Sequence, residues 1–120
     1  MPLDTDVISE QELSQYATAL RRNGFFGPNA WYMNDARNAA YGKTARSDRL
    51  AMPVLFFHAA HDDVCETLVS ALAQPMRQHC DHLTEITVLS GHWMAQERPA
   101  EVNAGLAKWL TTEVGRARPA

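Results

Sequence analysis

Long apolar runs are missing from this 120-residue chain, and none approaches the ~20 consecutive apolar residues that a membrane-spanning helix needs. The opening Met1-Pro2-Leu3-Asp4-Thr5-Asp6 is acidic, and no apolar segment follows it, so it does not read as a secretory signal. Cysteine is scarce. Cys65 and Cys80 are the two present, and without an export signal they are expected as free, buried thiols in a cytoplasmic protein. Concentrated positive charge is also lacking. The 11 basic residues are outnumbered by 14 acidic ones, the net charge is −3, and Arg21-Arg22 is the one adjacent basic pair. A nucleic-acid partner is therefore not expected, and neither is a membrane. Internal repeats and low-complexity tracts are absent. What remains is an ordinary globular mix, 46% hydrophobic and 21% charged, long enough for one small core.

Local signals divide the chain into elements. Ser9 with Glu12 three residues on has the capping-box pattern, and Leu13, Tyr16, Ala17 and Leu20 follow at helical spacing. A helix is expected over 9–23, ended by Gly24. Phe25-Phe26-Gly27-Pro28 reads as a turn with two exposed aromatics, and a second helix is expected over 29–40. The polar, basic stretch 43–49 reads as a linker between units 1–45 and 46–120.

Past the linker, Pro53-Val54-Leu55-Phe56-Phe57-His58-Ala59 is an almost unbroken apolar run, as in a strand buried on both faces of a parallel sheet. The polar loop His61-Asp62-Asp63 follows. Val69, Leu72, Ala73 and Met76 suggest a helix over 66–79, kinked or interrupted by Pro75. Glu85-Ile86-Thr87-Val88-Leu89 reads as a second strand, closed by Ser90-Gly91. A last helix is expected from Pro99, with Val102, Leu106, Trp109 and Leu110 as its buried stripe. Strand, loop, helix, strand, loop, helix is the order of an α/β fold with parallel strands joined by crossovers.

In such sheets functional groups sit on loops just past the carboxyl ends of strands. Asp62-Asp63 and His92 both occupy loops of that kind and are expected at the same sheet edge. A carboxylate there can hold the imidazole through Nδ1–H and leave Nε2 as a base. The bland alternative is an Asp that caps a helix and a His that merely packs.

The run Ser90-Gly91-His92-Trp93-Met94-Ala95-Gln96-Glu97-Arg98-Pro99, then Glu101-Val102-Asn103, resembles the catalytic-histidine segment of epoxide hydrolases of the α/β-hydrolase superfamily. Residues 53–62 resemble the strand that carries that family's charge-relay acid. Gly24-Phe25-Phe26-Gly27-Pro28 and Trp31-Tyr32-Met33-Asn34 are similar to a cap-domain segment. The resemblance runs collinearly over about residues 8–110. It implies a helical cap remnant over 1–45 and the C-terminal part of the α/β-hydrolase core over 46–120.

It also implies roles. His92 would be the general base, Asp62 its orienting acid with Asp63 as the alternative, and Tyr32 a donor to the opening epoxide oxygen. Trp93, Phe26 and Trp31 would be pocket walls. The reaction it implies converts an epoxide to a vicinal diol through an aspartyl ester and needs no cofactor.

The same family pattern has parts that these 120 residues lack. No Gly-x-Asp-x-Gly/Ser nucleophile elbow and no His-Gly-x-Pro oxyanion loop occur, and Tyr16 and Tyr41 do not sit in the context of the second cap tyrosine. The chain alone is expected not to turn over epoxides. A truncated product, an incomplete gene model and half of a split enzyme are the alternatives. Two strands with an open edge are expected to self-associate or to accept a complementary N-terminal portion. A haloalkane- or haloacetate-dehalogenase-like hydrolase is the second enzyme reading, and a non-catalytic interaction module the third.

His58, His61, His79, Cys80, His82 and His92 with Asp62 raise a metal site, but no third and fourth ligand follow the histidine pairs with zinc-like spacing. Metal is therefore not expected, and the histidines are read as surface residues at element ends. Cys65, beside the acid loop, is read as packed.

Overall fold

The computed structural model describes residues 2–44 and 49–114. The chain divides into two compact units, Met1–Ser47 and Asp48–Ala120.

In the first unit, helix α1 covers Glu10–Asn23 and is capped as its sequence predicts. Ser9 Oγ accepts from the Glu12 N–H at 3.2 Å, and the Glu12 carboxylate accepts from the Ser9 N–H at 2.9 Å. Such a cap stabilises a helix by about 1 kcal/mol. Gly24 ends it at φ +69°, the left-handed region where a Cβ would be strained, and its N–H reaches the Leu20 carbonyl at 2.8 Å.

The single helix expected over 29–40 is instead two, α2 (Phe26–Tyr32) and α3 (Asp35–Gly42). Asn34 causes the break. Its side-chain amide donates to the Ala30 carbonyl at 2.7 Å, and the Met33 N–H closes a tight turn onto the same carbonyl at 3.2 Å. Phe25-Phe26-Gly27-Pro28 is not a free turn but the start of α2, where the N–H that proline lacks has no helical partner to lose. None of the three helices buries a residue.

The second unit is built on two parallel strands, β1 (Leu50–Ala59) and β2 (Cys80–Val88), which supports an α/β class. Pro53 pairs with His82 and Ala59 with Val88. An irregularity between Leu50 and Pro53 falls where proline has no N–H for the ladder. Both strands extend beyond their apolar runs. Asp81 and His82 are exposed, so backbone pairing rather than burial holds this end of β2.

The connection between the strands departs from expectation. No helix starts at Glu66, because its carboxylate collects the backbone N–H groups of Leu68 (2.5 Å), Val69 (2.9 Å) and Ser70 (2.7 Å). The side chain thereby takes donors that a helix would need, and the segment folds as a loop. A 3-10 turn at Ala71–Ala73 leads into α4 (Gln74–His79), with Pro75 in its first turn. Pro75 begins the helix and does not kink it.

After β2 come the short α5 (Met94–Glu97), α6 (Pro99–Trp109) and a wider π-type turn over Leu110–Val114. Val102 and Trp109 are half-buried as expected, whereas Leu106 and Leu110 are exposed. At Gly105, α6 passes close over the sheet. A Cβ there would lie 2.9 Å from Phe57 Cε1 and 3.2 Å from Ile86 Cδ1.

Burial concentrates where the strands end. Among the described residues the buried set is Ala59, Ala73 and Val88 with the polar His58, Asp62 and Ser90. Five of these six belong to the ends of β1 and β2 or to the loops that follow them, so the best-covered part of the unit is the part that carries the functional loops. No helix among the described residues is long and apolar enough to cross a membrane.

Candidate active site

Those loops are stitched together past the ends of the strands. The Ala60 N–H donates to the Val88 carbonyl and the His61 N–H to the Ser90 carbonyl, both at 2.9 Å. The ladder therefore continues to within one residue of Asp62 and two of His92. Within the first loop, Asp62 Oδ1 accepts the N–H groups of Val64 (3.0 Å) and Cys65 (2.9 Å). Its other oxygen, Oδ2, lies 2.9 Å from His92 Nδ1. Asp62 is 8% exposed, whereas the His92 side chain is 45% exposed.

The backbone hydrogen bond from Cys65, and next the His92 imidazole, hold the Asp62 carboxyl below its ordinary pKa, against the opposing effect of burial. An ionised carboxylate can only accept. The proton between the two groups is thus on Nδ1, and the lone pair of a neutral His92 is on Nε2.

The turn that delivers His92 has its own clamp. Glu97, the last residue of the helical turn after His92-Trp93, reaches back so that Oε2 accepts the Gly91 N–H at 2.8 Å. A Cβ on residue 91 would lie 3.0 Å from Glu97 Oε1, so a side chain there would push the carboxylate aside by a few tenths of an ångström. Nothing in the sequence spacing marks Glu97 as a partner of Gly91. The imidazole also meets Trp93 edge to face, with ring centres 5.4 Å apart.

Of the residues singled out from sequence, Asp62 and His92 come together. Asp63 is exposed, and Asp62 holds the imidazole. Trp93 is exposed beside His92. Phe26, Trp31 and Tyr32 belong to the first unit, where each is exposed.

Two expectations are corrected. The thiols are free but not buried, since Cys65 is exposed in the acid loop and Cys80 is intermediate at the start of β2. His58 is not a surface residue. It is 2% exposed, with Nδ1 2.8 Å from Thr67 Oγ1 and Nε2 2.9 Å from Glu85 Oε1, and Glu85 is paired in turn with Arg77 at 2.7 Å. Its position at the inner end of β1, opposite Thr87 and near Glu85, gives both ring nitrogens partners. Among the described residues one group could hold a metal ion: Asp62, Cys65 and His92 each offer a donor atom within 4.8 Å of the others. The histidine pairs 58/61 and 79/82 do not form such a group.

No protein-family model matches the chain. Over 94% of its length the chain is 32% identical to bifunctional epoxide hydrolase 2 of Rattus norvegicus, and over 89% it is 30% identical to bifunctional epoxide hydrolase 2 of Sus scrofa. Over 87% it is 31% identical to epoxide hydrolase A of Mycobacterium tuberculosis. Over most of its own length the chain is similar in sequence to proteins named epoxide hydrolases. The chain spans 20% of the rat protein, 19% of the pig protein and 32% of the mycobacterial one.

Proposed function

We propose that this chain is the acid- and histidine-bearing part of an epoxide-hydrolase-type α/β-hydrolase. Residues 1–45 would be a cap remnant and residues 46–120 the C-terminal part of the core. The supporting observation is the 2.9 Å contact between His92 Nδ1 and Asp62 Oδ2 at the carboxyl edge of two parallel strands. An aspartate supplied by a complementary segment opens the epoxide and becomes an ester. Water then attacks the ester carbonyl while His92 Nε2 takes its proton. Cleavage of the ester releases the vicinal diol and regenerates the aspartate.

Asp62 stabilises the imidazolium that forms in that step. It is the acid in preference to Asp63 because it alone meets the ring. The likeness of Trp31-Tyr32 and Phe26 to the family's cap segment supports Tyr32 as a donor to an epoxide oxygen and Phe26 and Trp31 as substrate-contacting residues, and Trp93 stands beside His92 as a pocket wall. The Trp31-Tyr32 context favours epoxides over haloalkanes.

Gly-x-Asp-x-Gly is absent from these 120 residues, so the chain by itself has no turnover, and the open edges of the two-stranded sheet receive the complementary segment or a second copy. Two free thiols suit the reducing cytoplasm.

Reconstitution tests this reading. The purified chain is mixed with a separately expressed segment carrying an epoxide hydrolase's nucleophile elbow and oxyanion loop, and trans-stilbene oxide is added. Diol is expected from the mixture and from neither part alone, and His92→Gln in the mixture should accumulate the covalent ester. Diol formation that is indifferent to His92→Gln would sink the proposal.

A further inference from the structure

We infer that Asp62, Cys65 and His92 form a binding site for a single thiophilic divalent cation of the zinc class. Three residues of different chemistry, drawn from two loops, place a carboxylate oxygen, a thiol sulfur and an imidazole nitrogen within 4.8 Å of one another. Asp62 and Cys65 are separated by two residues and closed into one turn by the Cys65 N–H on Asp62 Oδ1 at 2.9 Å. Ligands two residues apart on a tight turn are a recurring way to present a pair of donors to zinc.

The third donor comes from the loop after β2. It is held in place because the backbone bond from His61 to Ser90 fixes the two loops against each other.

Around a tetrahedral zinc ion, bond lengths of about 2.0–2.3 Å put donor atoms roughly 3.5 Å apart, so the Cys65 sulfur must close in by up to about an ångström. Asp62 Oδ2 and His92 Nδ1, 2.9 Å apart, open slightly as the metal replaces the proton between them. The freedom to do so is unevenly shared. Asp62 is buried and pinned by two backbone donors, whereas Cys65 is exposed and its side chain can swing inward. Exposure of Cys65 and His92 also leaves an entry path and room for water as the fourth ligand. A thiolate in the set selects against magnesium and calcium, which take oxygen donors.

The cluster around His58 offers no competing site, since Glu85 is already neutralised by Arg77. Binding does not depend on the hydrolase reading. Its consequence does, because a cation between Asp62 and His92 would replace the hydrogen bond from Nδ1 that orients the base and would slow ester hydrolysis.

Cobalt(II) is the probe, as its bond to a thiolate gives an ultraviolet charge-transfer band. Titrating the full chain under reducing conditions should raise that band to one equivalent, and zinc should displace the cobalt. Cys80→Ser should leave the band intact and Cys65→Ser should abolish it. His92→Gln should weaken cobalt affinity by about tenfold or more, since even changes beside a metal ligand cost that much. Cys65 and His92 are exposed, and circular dichroism checks that both variants keep the fold. The inference is overturned by a wild-type chain without the band, by a band that survives Cys65→Ser, or by His92→Gln binding cobalt within about tenfold of wild type. None of these readouts requires epoxide turnover, so failure here and failure of the hydrolase reading are separate results.

Discussion

The backbone N–H of His61 donates to the carbonyl of Ser90 at 2.9 Å, one residue before Asp62 and two before His92. This bond carries the strand pairing into the two loops. Side chains thirty residues apart in sequence are thereby delivered to one place by rigid backbone and not by flexible loops. The short reach from that bond to each functional group explains why the carboxylate and the imidazole meet without either side chain being fully enclosed.

Asp62→Asn should uncouple His92 while sparing the loop. Asparagine still offers an acceptor to the Val64 and Cys65 N–H groups, but it removes the negative charge facing Nδ1. The share of the imidazole with its proton on Nδ1, read from the ring ¹⁵N chemical shifts at a pH where it is neutral, should fall in Asp62→Asn and stay unchanged in Asp63→Asn. In a reconstituted enzyme, ester hydrolysis should drop by roughly 100-fold or more for the first variant only. Equal effects of the two substitutions would show that contact with the ring is not what matters.

Glu97→Ala should loosen the turn before His92. It strips the Gly91 N–H of its carboxylate acceptor at 2.8 Å, a charge-assisted bond worth about 1.5–3 kcal/mol when its partner is left unsatisfied. Urea unfolding should show that loss, discounted toward its lower end because Gly91 is only half-buried. Glu97→Gln keeps an acceptor and should recover most of it.

Gly105→Ala tests how tightly α6 sits on the sheet. In an unconstrained helix the change would stabilise by about 1 kcal/mol. Here the new methyl would lie 2.9 Å from the Phe57 ring, and overpacking of this kind costs about 1–3 kcal/mol. Net destabilisation is expected, and Phe57→Leu in the same chain should relieve it. An increase in stability on adding alanine alone would mean that the helix is free to move outward.

Acid should weaken the second unit through Glu85. Arg77, and then His58, hold this carboxyl below its ordinary value of 4.5. A carboxylate with a lowered folded-state pKa contributes stability that is fully present above the unfolded value and is lost as pH falls through the folded one. The Arg77–Glu85–His58 network should therefore be intact at neutral pH and dissolve below about pH 4.5, the ordinary value. Glu85→Gln should lower stability at pH 7 and flatten this acid limb. A variant that follows the wild-type acid limb in urea unfolding across that range would remove Glu85 from the account.

Elements whose signals are local could be read directly from the residues. Ser9 with Glu12 and Gly24 bound α1 because capping involves groups within four residues of each other. The apolar run ending at Ala59 named β1, and strand–loop–helix–strand order implied the parallel pairing that puts Asp62 and His92 on one edge. Side chains that capture nearby backbone donors were harder to foresee. Glu66 suits a helix by propensity, yet its carboxylate takes three amides and keeps the segment a loop, and Asn34 splits a helix in the same way.

By itself the sequence determined the first helix, the order and parallel sense of the two strands and the pair of loops that would carry chemistry, because each depends on periodicity, caps and chain connectivity. Tertiary structure alone decided that Asp62 and not Asp63 faces the imidazole, that His58 is sealed between Thr67 and Glu85, that Gly105 lies close against Phe57 and Ile86, and that Cys65 stands beside His92. These outcomes depend on strand register and on which way a side chain leaves a loop. A shift of one residue reverses them, and no neighbouring residue type records the choice.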